Sequence, residues 1–126
     1  MKHVTLLVWL VFGVLTLVVA CESKKEEAKP VGDAAIMSPA GSAGRMENDE
    51  GVGHYRQGHW DVAQGHFRKA IAADGKLVEA HYNLGLTLDK MGKHEEAKAA
   101  FQKVVELAPS NSPIKDSVIL KEHLGK

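Results

Sequence analysis

The chain has 126 residues, sixteen basic and sixteen acidic, with a formal net charge of zero. That length holds one small domain, and the balanced charge argues against electrostatic nucleic-acid binding, which needs a basic stripe. Cys21 is the single cysteine, so an intramolecular disulfide is excluded and stability must come from helix packing.

Met1-Lys2-His3 is a short basic start, and Val4–Ala20 is then apolar except for Thr5, Gly13 and Thr16. Charge, an apolar run and a small residue in that order form the pattern of a secretory signal peptide. Length alone leaves an uncleaved transmembrane anchor open, because these 17 residues sit at the lower limit for spanning ~30 Å of hydrocarbon. Val18-Val19-Ala20-Cys21 resembles the lipobox of bacterial lipoproteins. That resemblance implies that residues 1–20 are a signal peptide and that Cys21 is lipidated. It implies a cell-envelope location. Glu22 stands where inner-membrane retention commonly uses Asp, which points to the outer membrane, facing the periplasm. Each buried CH₂ contributes ~0.8 kcal/mol, so two or more acyl chains anchor stably where one does not.

Residues 21–44 read as the modified cysteine and a flexible tether. Ser23–Pro30 is mixed charge without an apolar face, and Pro30, Gly32, Pro39, Gly41 and Gly44 break any regular structure up to the first helix. As a coil, such a segment spans roughly 25–30 Å. Ile36-Met37 is its one apolar pair, able to pack on the domain or on a partner.

Helical periodicity then takes over. A first helix is expected from about Arg45 to Gln57, weakened by Gly51 and Gly53, each costing ~1 kcal/mol against Ala in a helix interior. A second runs from about Asp61 to Ala73 with Ala63, Phe67, Ala70 and Ile71 as its inner stripe. Leu77–Met91 and His94–Ala108 form a second pair around Gly92, and Pro109 stops the last helix. Ser110-Asn111-Ser112-Pro113 restarts a helix that carries Ile114, Val118, Ile119, Leu120 and Leu124.

The two pairs are copies. A shift of 34 residues sets Gly85 on Gly51, Gly92 on Gly58, Ala97 on Ala63 and Phe101 on Phe67. This period and these marks resemble the tetratricopeptide repeat, a helix–turn–helix unit. His81 departs from the usual Trp, and Glu47, Glu50 and His54 stand where larger apolar residues are usual. The fold implied is all-α: a short α-solenoid of two repeats, 45–77 and 78–111, with a capping helix over 112–126. The resemblance also implies partner binding on a concave face lined by the first helix of each repeat. By position these are Arg45, Asn48, Val52, Tyr55 and Arg56, then Glu79, Tyr82, Asn83, Leu86, Asp89 and Lys90. Two tyrosines would offer apolar platforms, and Asn83 can hold a peptide backbone through both donor and acceptor.

Six histidines come after Cys21: His54, His59, His66, His81, His94 and His123. No H-x-x-x-H pair is present, so no metal site and no cofactor is expected from spacing, although His54 and His81 occupy matching inner positions. No phosphate-binding loop, haem motif or G-x-S-x-G is present, and no nucleophile is set beside a base. The expectation is a non-enzymatic, membrane-anchored adaptor for a protein or peptide partner in the envelope. The alternatives are a structural subunit or assembly factor packing, or oligomerising, through its repeat edges, and a histidine-based metal binder.

Overall fold

Five α-helices and one 3-10 turn make up the computed structural model, which describes residue 32 and residues 34–125. The stretch expected to be a signal peptide, Cys21 and the first part of the expected tether lie outside the described residues. The helices are α1 (Arg45–Arg56), α2 (Trp60–Ala73), α3 (Val78–Lys90), α4 (His94–Leu107) and α5 (Val118–Leu124). A 3-10 turn, Pro113–Asp116, precedes α5. The four helices of the two repeats are found within one or two residues of their expected ends. No helix among the described residues is long and apolar enough to cross a membrane.

The chain folds as two stacked helical hairpins. α1 packs on α2, α3 on α4, and α2 on α3, with α5 closing the far end against α4. Gly58 and Gly92 end the first helix of each hairpin at φ of 78° and 74°, where a side chain would be strained. The same ring contact seals both hairpins. A Cβ on Gly51 would lie 2.6 Å from Phe67, and one on Gly85 would lie 2.5 Å from Phe101. Both rings are fully buried, each removal from water contributing about 2–3 kcal/mol. Ala63 and Ala97 are also fully buried, as close helix approach demands. The glycines that weaken α1 in isolation therefore make room for the core.

Glu47, Glu50 and His54, the apolar departures of the first copy, share one cause. Their counterparts His81, Leu84 and Leu88 lie beside Ile71 and Arg68 of the preceding hairpin. Among the described residues no hairpin precedes α1, so that face is polar. His66 on α2 reaches Glu47 at 2.8 Å and Glu50 at 3.4 Å, and stacks on His54 at a centroid distance of 5.3 Å. Solenoid ends require such a polar face. His54 and His81 do not meet, because His81 Nε2 instead contacts the Gly75 carbonyl at 3.0 Å.

The capping region departs from expectation. The sequence predicts one helix over 112–126, whereas the chain turns as 3-10 over Pro113–Asp116 and starts again at Ser117. Ser117 Oγ accepts from the Leu120 N–H at 3.3 Å and lies 3.0 Å from the Tyr82 hydroxyl. A buried side-chain contact to α3 thus fixes where α5 begins. Ile114 and Leu120 face the core, but Val118 is 61% exposed.

Candidate functional site

Residues 34–44 are not a featureless end to the tether. Gly32 and residues 34–38, neither helix nor strand, lie along the face formed by α1 and α3, and α1 begins after a turn. Asn83 grips the middle of this strap with both ends of its amide. Its Oδ1 accepts from the Ile36 N–H at 2.8 Å, and its Nδ2 donates to the Ile36 carbonyl at 2.7 Å. Asn48 Nδ2 adds a bond to the same carbonyl at 3.0 Å, and Asn48 Oδ1 accepts from Asn83 Nδ2 at 2.9 Å. Asp49 Oδ1 accepts from the Ser38 N–H at 2.9 Å. Tyr82 donates its hydroxyl hydrogen to the Gly32 carbonyl at 2.5 Å.

These five bonds to the strap all reach main-chain atoms. Asp49 and Asn83 are equivalent positions of the two repeats, 34 residues apart, and they take N–H groups two residues apart on the strap. The step from one repeat to the next is thereby matched to a two-residue step along the strap. The strap runs antiparallel to the repeats, with Gly32 at the second and Ser38 at the first. Between the bonds, Ala35 and Ser38 are buried, Ile36 packs on the core, and Met37 is 49% exposed. Ser38 Oγ is buried with no hydrogen-bond partner among the described residues.

The expected lining residues divide accordingly. Asn48, Tyr82 and Asn83 meet at the strap. Asp49 joins them, and helix position alone did not single it out, although its equivalence to Asn83 in the repeat marks it. Tyr55 is no open platform: it is 7% exposed and sets its ring on Trp60, edge to face, at 4.9 Å. Leu86 and Val52 are core residues at 1% and 0% exposure. Tyr82 is fully buried, between the strap, Ser117 and Phe101. Arg45, Arg56 and Lys90 are exposed, and Glu79 is half-buried.

Asp89 turns away from the strap, toward α4 and α5. Its Oδ1 lies 2.9 Å from His94 Nδ1 and 2.9 Å from His123 Nε2. Burial pushes the Asp89 carboxyl up, but bonds and charge from His94 and His123 outweigh it and hold it below the ordinary aspartate value. Sequence spacing showed no convergent ligand set, yet the fold assembles two trios, Asp89/His94/His123 and Glu47/Glu50/His66.

Fold and site together define a short helical solenoid with an extended segment held by its backbone. Residues 78–111 match the family model of the tetratricopeptide repeat, so the chain carries such a repeat within its stacked helices. Over 51 residues it is 41% identical to the cytochrome c-type biogenesis protein CycH of Rhizobium meliloti (strain 1021). That likeness covers 40% of this chain and 13% of the relative. No solved structure gives a significant match.

Proposed function

We propose that this chain is a lipid-anchored adaptor that receives an extended peptide segment of an envelope partner on the α1/α3 face. The repeat supports a protein-binding role. The observation that carries the peptide reading is the Asn83 clamp, which takes both the N–H and the carbonyl of Ile36. A face that pairs with main-chain groups accepts many sequences, provided the chain is extended and small side chains fall where Ala35 and Ser38 sit. The Val18–Cys21 run supports an anchor at Cys21, which would hold this face near a membrane surface. An assembly role in an envelope complex is the second reading, favoured by the likeness to a cytochrome c-type biogenesis protein.

Two experiments test the proposal. A fluorescent peptide copying residues 32–40 is added to the full chain carrying Ile36→Pro, which removes the N–H that donates to Asn83. Binding to this variant, and loss of binding when Asn83→Leu is added, is expected. No binding to Ile36→Pro sinks the peptide reading. Separately, Cys21→Ser should abolish palmitate incorporation and release the chain from the membrane fraction. Retained label on the variant would remove the anchor.

A further inference from the structure

We propose that Asp89, His94 and His123 form a binding site for a divalent transition-metal ion of the zinc class. Their ligand atoms all lie within 4.8 Å of one another, one from α3, one from the start of α4 and one from α5. Imidazole nitrogens and a carboxylate are the donors such ions take, and three protein ligands leave a fourth position open. His94 supplies the opening, because its side chain is 67% exposed whereas those of Asp89 and His123 are 20% and 16% exposed.

Two further observations point to a cation. The first is the tautomer of His123. Its Nδ1 lies 3.0 Å from the Ile119 carbonyl oxygen, which can only accept, so Nδ1 carries a hydrogen. That leaves Nε2, 2.9 Å from the Asp89 carboxylate oxygen, as the ring nitrogen turned toward the site. A divalent ion there would be met by Nε2 and that oxygen together. A ring fixed by a backbone carbonyl through its other nitrogen is how metal-ligating histidines are held. The second observation is the repeat itself. Asp89 and His94 occupy the positions that Tyr55 and Trp60 occupy in the first copy, 34 residues earlier. There, two rings packed edge to face join the helices. The hairpin joint needs no polar group, yet the second copy places an acid and a histidine there and the cap adds another histidine. Glu47/Glu50/His66 is the weaker trio, since Lys69 already lies 4.0 Å from Glu47.

The ligand atoms of a tetrahedral zinc ion, at about 2.0–2.1 Å from it, are roughly 3.3 Å apart. Both Asp89–His distances would therefore open by a few tenths of an ångström on binding, and the two histidine nitrogens, within 4.8 Å of each other, would settle at the same spacing. Because His123 belongs to α5, the ion would tie the cap to the second repeat.

The test uses the full chain with Cys21→Ser, so that the thiol does not compete, stripped with chelator and titrated with zinc chloride by calorimetry. One saturating equivalent and a raised melting temperature are expected. His94→Ala changes an exposed side chain and should weaken binding ~10-fold or more, with Asp89→Asn and His123→Gln doing the same. His66→Ala should leave it unchanged. Circular dichroism of each variant checks folding. Absence of saturable zinc binding, or binding lost with His66→Ala but kept with His94→Ala, overturns the proposal.

Discussion

At the scale of single residues, the fold turns on atoms that are absent. Gly85 lacks the Cβ that would sit 2.5 Å from Phe101, so Gly85→Ala should destabilise the chain. Ala is the better helix former by ~1 kcal/mol, but overpacking a rigid ring costs ~1–3 kcal/mol, and the second effect wins. Gly65 on α2 is the control: nothing lies within 4 Å of its missing Cβ. Gly65→Ala should stabilise by about 0.5–1 kcal/mol. Urea unfolding of both variants reads the opposite signs. The cost of a helical glycine is legible in sequence, but its compensation is not. Only the 34-residue echo between Gly51/Phe67 and Gly85/Phe101 hints at it. Ser38 presents the reverse case, a buried hydroxyl oxygen without a partner among the described residues. Such a group costs ~1–3 kcal/mol, so Ser38→Ala should hold the strap more firmly. Slower hydrogen exchange at the amides of positions 36 and 38 is the expected readout.

At the scale of elements, the repeat made the four main helices legible because the same stop signals recur: Gly58 and Gly92 after the first helices, hydrophobic spacing throughout. Two elements were not legible, for different physical reasons. The start of α5 was hidden because Ser110–Pro113 carries the stronger local signal. The contact that decides it, Ser117 with Tyr82, is tertiary. Ser117→Ala removes both that contact and the cap on Leu120, and should cost about 1–2 kcal/mol in thermal or chemical unfolding. The strap was hidden because it is recognised through its backbone. Ala, Ser, Pro and Gly make it look like a spacer, and main-chain hydrogen bonds leave almost no trace in side-chain composition. For the same reason the candidate site was half legible. Helix position picks out Asn83, Tyr82 and Asn48, which meet the strap, whereas Tyr55 and Leu86, chosen by the same rule, are buried away from it.

At the scale of the molecule, two hairpins are fewer than the three repeats usually needed for a stable solenoid. The polar Glu47/Glu50/His54/His66 face and the α5 cap close the ends, and the strap covers the α1/α3 face between them. The strap belongs to the same chain as the groove that holds it. A ligand tied to its receptor by a short connection has an effective concentration in the millimolar range. If the groove holds the strap with an intrinsic Kd of ~1 µM, the filled state outweighs the open one by ~10³, equivalent to ~4 kcal/mol. The apparent affinity of any added peptide should therefore rise by up to that factor in Ile36→Pro, with its dissociation rate unchanged. Stopped-flow fluorescence separates the two quantities. On the proposed peptide-binding role, the groove would be a receptor that carries its own competitor. It would discriminate by the ability to displace a resident segment rather than by contact strength alone, and it would set a threshold concentration below which even a well-matched partner goes unbound.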